Sequence, residues 1–160
     1  MINLEEIKAA ILKGEQFENI IQKFNWKEFE DFVAEIFRNN GFVVKQNFKF
    51  KTKNIYEIDL VAANNRYVLC VDCKEWNQGR YKKTGLVYAV KKQEKRLDEF
   101  RKFLKKNLIA SKMVNITLKL KFYPLIVTLF EEELLKENTT LIIPVWKLNV
   151  FLLELDNYLL

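Results

Sequence analysis

Apolar residues first recur every three or four positions. Leu4, Ile7 and Ile11, then Phe17, Ile20, Ile21 and Phe24, predict helical segments apolar on one side and broken at Gly14. Phe29, Phe32, Val33, Ile36 and Phe37 form a stronger stripe for a second helix. Asn3 with Glu6, and Asn25 with Glu28, have capping-box spacing, and Asn40-Gly41 supplies a stop. After Gly41 the pattern turns extended: Phe42–Val44, Phe48–Lys51, Tyr56–Ala63 and Tyr67–Lys74, with Asn64-Asn65 as a hairpin turn between the last two. Leu86, Val90, Gln93, Leu97, Phe100 and Leu104 return to helical spacing. A strand near Leu118–Leu129 follows, which Pro124 should bend or push to a sheet edge. A short strand, Leu141–Val145, and an apolar helix near Val150–Leu159 close the chain. The order α-α-β-β-β-β-α-β-β-α predicts an α/β fold, a mixed sheet covered by helices.

With 160 residues, 49% hydrophobic and 30% charged, four Gly and two Pro, and no repeats, the chain has the size and composition of one folded domain. Residues 1–24 are expected to be a helical extension packed on a core of 25–160. The absence of His excludes imidazole bases, Ser-His-Asp triads and His-ligated zinc built from this chain, leaving carboxylates, Lys, Tyr or Cys for any chemistry. Two cysteines are too few for a disulfide framework. No basic segment followed by an apolar stretch opens the sequence, and no run of 18 apolar residues occurs. A soluble, cytoplasmic protein is the expectation.

The net charge of +6 is local in origin: residues 80–106 hold 11 basic and 3 acidic side chains, an excess of eight. Arg80, Lys82, Lys83, Lys91, Lys92 and Lys95 lead this block and are candidates for phosphate contacts; a solvated lysine-rich helix face is the alternative. The polar loop Trp76–Lys83 joins them as a candidate contact.

Turning at Asn64-Asn65 would set Asp59 opposite Cys70 and Glu57 opposite Asp72, with Asp59 and Asp72 diagonal neighbours. Strand alternation would place Glu57, Asp59, Cys70, Asp72 and Lys74 on one sheet face. Diagonal carboxylates about 7–8 Å apart at Cβ can share a divalent cation, and Mg²⁺ suits such hard ligands together with a phosphate. Lys74 stands where it could orient water or stabilise charge growing on phosphorus. Of the acids on the second helix only Glu30 lies at the margin of the apolar stripe, whereas Glu28, Asp31 and Glu35 point outward. Glu57 is either a further ligand or a solvated neighbour.

An acid on one strand followed by acid-x-Lys on the next, here Ile58-Asp59 and Asp72-Cys73-Lys74, resembles the PD-(D/E)xK nuclease superfamily. Phe29-Glu30, Glu57-Ile58-Asp59-Leu60-Val61-Ala62 and Val71-Asp72-Cys73-Lys74-Glu75-Trp76 look like Mrr-type restriction nucleases and the archaeal Holliday-junction resolvases. That resemblance implies a restriction-endonuclease-like fold with core order α-β-β-β-α-β. It also implies hydrolysis of DNA phosphodiesters with Mg²⁺, or Mn²⁺ as substitute, and no small-molecule cofactor. Asp59 and Asp72 would be ligands, Lys74 would activate water, and Glu30 would support the metal. The sequence departs from the pattern in having Ile58 where Pro is frequent and Asp72 where relatives often carry Glu or Gln.

Other readings stay open: a catalytically silent DNA-binding or assembly subunit, an RNA-processing nuclease, or a surface ion-pair group at strand ends. Cys70 and Cys73, three apart on a strand, point to opposite faces and read as buried thiols instead of a metal or redox pair. Phe151–Leu155 with Tyr158–Leu160 could supply a homodimer surface or pack within the monomer.

Overall fold

The computed structural model describes residues 4–74, 83–129 and 135–159. Three helices come first: α1 Leu4–Leu12, α2 Phe17–Gln22 and α3 Trp26–Asn39. Gly14, with φ of 92°, separates α1 from α2, and Gly41, with φ of 83°, follows the end of α3. Asn25 starts α3 through a complete capping box: its Oδ1 accepts the Glu28 N–H and its own N–H donates to Glu28 Oε2, each at 2.9 Å. The box expected at Asn3 lies outside the described residues.

Strands β1 Val43–Lys51, β2 Ile55–Ala63 and β3 Tyr67–Lys74 form an antiparallel meander. The long α4, Lys83–Lys106, and a short α5, Leu108–Met113, lead to β4 Lys121–Thr128. After β5 Lys136–Glu137 and β6 Thr140–Pro144, helices α6 Val145–Leu153 and α7 Leu155–Tyr158 complete the described chain. The sheet runs β1-β2-β3-β4-β6-β5, with β4 parallel to both β3 and β6. Helix α3 covers one face with α1, α2 and α6, around Phe29, Phe37, Leu60, Leu69 and Val127. Helix α4 covers the other, burying all six residues of its predicted stripe against β1–β3 and against Ile126 and Ile142.

Four expectations change. The segments Phe42–Val44 and Phe48–Lys51 are one strand, because Asn47 adopts a left-handed φ of 51° and pairing resumes on either side of it. Pro124 occupies a central strand, not an edge. It lies one residue before β4 begins to pair with β6 at Leu125, so its missing N–H falls where β4 has no partner on that side. The terminal helix starts at Val145 and breaks at Glu154; Phe151 and Leu152 before the break, and Leu155 and Leu159 after it, are buried in the chain's own core. Finally, the β2–β3 turn is shifted by one residue. Leu60 pairs with Val71, Val61 with Cys70 and Ala63 with Val68. The turn is therefore centred on Asn65-Arg66, because Asn64 Oδ1 accepts both the Arg66 and Tyr67 N–H groups at 2.8 Å.

Candidate active site

Strand β3 is buried from Tyr67 to Cys73, and charge enters only at its end, with Asp72 at 3% exposure and Lys74 half-buried. In β2 the alternation of side chains is interrupted at Asp59. Leu60 and Ala62 pack on the α3 side, whereas Ile58 joins Phe48, Phe50 and Phe100 on the α4 side. β1 reverses in the same row, from Val44 on the α3 side to Phe48 and Phe50 on the α4 side, across the left-handed Asn47. Backbone pairing of β2 with β3 ends at Leu60–Val71, and there Asp59 Oδ2 accepts the Cys73 N–H at 2.8 Å. The carboxylate side chain thus satisfies a donor beyond the end of the ladder.

This interruption corrects the expected single face. Asp72 looks toward α4, where Arg96 Nη1 lies 3.1 Å from Oδ1, and Lys74 Nζ lies 2.8 Å from Oδ2. Glu57, between Tyr56 and Ile58 of the α4-side cluster, faces the other way, is exposed and stands 3.9 Å from Lys49. Cys70 and Cys73 belong to opposite core clusters and are free, buried thiols, as their spacing predicts. Burial pushes both thiols well up, so neither is a ready nucleophile at neutral pH.

The charges around Asp59 are what set this end of the sheet apart. Burial first, and then the charge of Asp72, push the Asp59 carboxyl up to about 7; the Cys73 N–H and Lys74 only partly oppose them. Glu30, on the inner side of α3 at 3% exposure, is also pushed up by burial against the pull of Lys27, and its charge reaches Asp59. Two buried carboxylates in this relation relieve their repulsion either by keeping a proton or by taking up a cation. Asp72 Oδ2 accepts no hydrogen bond, although Lys74 stands beside it as an ion pair. A hard divalent cation fits this oxygen pair. Among the described residues no three acid or thiol side chains stand together as a ready cation site.

Lys83, Lys91, Lys92 and Lys95 are exposed on α4, and Lys92 lies 5.0 Å from the centre of the Tyr88 ring. Arg80 and Lys82, with the rest of the loop Trp76–Lys82, lie outside the described residues. Sequence reasoning missed Arg96 as a member of the site, and it placed Gln93 in the core, where it is, without its bonds to Cys70 and Arg96. The available signal was an amide within an apolar stripe, followed three residues later by an arginine on the same flank.

Among the described residues no helix is long and apolar enough to cross a membrane. A family model described as restriction endonuclease, the Mrr catalytic domain, matches residues 21–118, which includes α3, the meander, α4 and α5. The chain is 31% identical over 135 residues to an uncharacterized protein of Archaeoglobus fulgidus, covering 84% of this chain and 94% of that one. A crystal structure of a protein of unknown function is similar at 21% identity with a TM-score of 0.37, over 75% of this chain; the chain spans about half of that protein's length. With the mixed six-stranded sheet between two helical layers, the match over most of its length shows that the chain belongs to the Mrr-type restriction endonuclease family, with its restriction-endonuclease-like fold.

Proposed function

We propose that this nuclease is a Mg²⁺-dependent endodeoxyribonuclease, with Mn²⁺ as substitute, whose cation would be held by Asp59 and Asp72. The observation that carries the reading is the buried pair itself: Asp59 is pushed up to about 7 by burial and by Asp72, beside a lysine 2.8 Å from Asp72. A bound divalent cation supplies Lewis-acid polarisation of the phosphodiester. The other tasks belong to side chains. Lys74 positions the attacking water and offsets charge growing on phosphorus. As the water oxygen bonds to phosphorus, the bond to one bridging oxygen breaks, and that oxygen leaves with a proton. Glu30 would support the metal site from α3, where its charge reaches Asp59. Lys83, Lys91, Lys92 and Lys95 contact backbone phosphates, together with Arg80 and Lys82.

The test is nicking of plasmid, four-way-junction, flap and RNA substrates with Mg²⁺, Mn²⁺ or EDTA. Asp59→Ala and Lys74→Ala should each lower the cleavage rate by about 100-fold or more. Cleavage that persists in EDTA or in both variants would refute the assignment. Binding without cleavage by the wild type would favour the silent-subunit reading.

A further inference from the structure

On the apolar face of α4 lies one polar side chain, Gln93, and it is fully buried. A buried amide is tolerated only when its groups are bonded, and here both ends are. Nε2 donates to the Cys70 carbonyl at 2.7 Å, and Oε1 accepts from Arg96 Nη1 at 3.3 Å. The same Nη1 reaches Asp72 Oδ1 at 3.1 Å. Cys70 and Asp72 are two residues apart on β3, so the contacts leave that strand and return to it two residues later. Arg96 is gripped between its own helix and the acid, on a flank only about a quarter exposed. Asp72 Oδ1 is thereby engaged by Arg96, while Oδ2 accepts no hydrogen bond and meets only the Lys74 ammonium, as an ion pair at 2.8 Å.

We propose that Arg96, oriented by Gln93, is a positioning residue for Asp72: it holds Oδ1 so that Oδ2 is the oxygen presented to a divalent cation. This rests on the metal-dependent reading above. A planar guanidinium suits the task because its N–H groups are fixed relative to one another, so a single nitrogen can bridge Gln93 and Asp72 at defined angles. Groups that orient metal ligands in this way commonly change affinity by about tenfold or more when replaced.

A role in charge alone makes the opposite forecast. Removing a cation from beside two carboxylates should tighten binding of another cation, and lysine should replace arginine without loss. The experiment titrates Mn²⁺ into the whole protein without DNA, read by calorimetry or by electron paramagnetic resonance. It compares wild type, Arg96→Lys, Arg96→Leu and Asp72→Asn, with circular dichroism to verify folding. Positioning predicts about tenfold weaker Mn²⁺ binding in both Arg96 variants, and a nicking reaction needing correspondingly more Mn²⁺. Tighter binding in Arg96→Leu, or wild-type affinity in Arg96→Lys, overturns it. A wild type that binds no Mn²⁺, or an Asp72→Asn variant that binds as wild type does, overturns the metal reading and this inference with it.

Discussion

The two ends of the β2–β3 hairpin carry acids in opposite condition. At the turn end, Asp156 of α7 accepts a hydrogen bond from the Tyr67 hydroxyl at 2.5 Å and from Arg66 Nη1 at 2.6 Å. Those two bonds hold its carboxyl below the usual range. At the other end, Asp59 is pushed up to about 7, and Asp72 stands between two cations, Arg96 at Oδ1 and Lys74 at Oδ2. The turn end is locally satisfied. At the site end one carboxyl is held against ionisation by burial and by its neighbour's charge, which marks it as the candidate site.

The largest effect should come from removing this difference at Asp59. Its raised pKa means that the folded protein keeps a proton the unfolded chain gives up near 3.8. Ionising it therefore opposes folding. Without divalent metal, its contribution should lower stability as pH rises from about 4 to about 7, by as much as about 4 kcal/mol. Asp59→Asn retains an oxygen for the Cys73 N–H and should lose cleavage, yet be more stable than wild type in EDTA above pH 7. Urea unfolding at several pH values reads the difference between the two. A wild type equal to the variant at pH 8 would show that the site end is as relaxed as the turn end.

At the turn end, Asn64→Ala removes the acceptor for two backbone N–H groups and should destabilise by about 1 kcal/mol, as loss of a local side-chain cap does elsewhere. Cleavage rates under folded conditions should be unchanged. Loss of activity at wild-type stability would mean that the two ends are coupled through register. The smallest effect is expected for Asp156→Ala, because the carboxylate and its Arg66 partner are both more than half exposed: a shift in Tm within about 2 °C. Its stabilisation is present above the unfolded carboxylate pKa and fades as pH falls through the depressed folded value, the reverse of Asp59. A thermal-melt series from pH 2 to 5 measures it.

Much of the fold was legible because it follows from periodicity. The stripe of α3, the six-residue face of α4 and the continuous burial of β3 all appear in the order of residues, as does the inward placement of Glu30. The hairpin register was missed because two adjacent asparagines both suit a turn. Only the two bonds at Asn64 select Asn65-Arg66 as its centre. Asp59 and Asp72 were expected as diagonal neighbours on one face. The reversal across Asn47 and Asp59 could not be read, since a left-handed asparagine leaves no mark in an alternating pattern. Pro124 was misplaced because edge character depends on where β6 begins to pair, which β4's own sequence does not contain.

The sequence by itself determined the residues available for chemistry: no imidazole, an acid on β2, an acid-x-Lys on β3, an acid on the buried side of α3, and a basic block directly downstream. These are local properties, fixed by composition and period. Only the tertiary structure decided that the strands stop pairing at Leu60 and Val71, that Asp59 turns to the Cys73 N–H, and that Gln93 and Arg96 reach across from α4 to Cys70 and Asp72. Those contacts span 14 to 24 residues of chain. They depend on how one helix lies across one sheet, and no window of sequence contains that geometry.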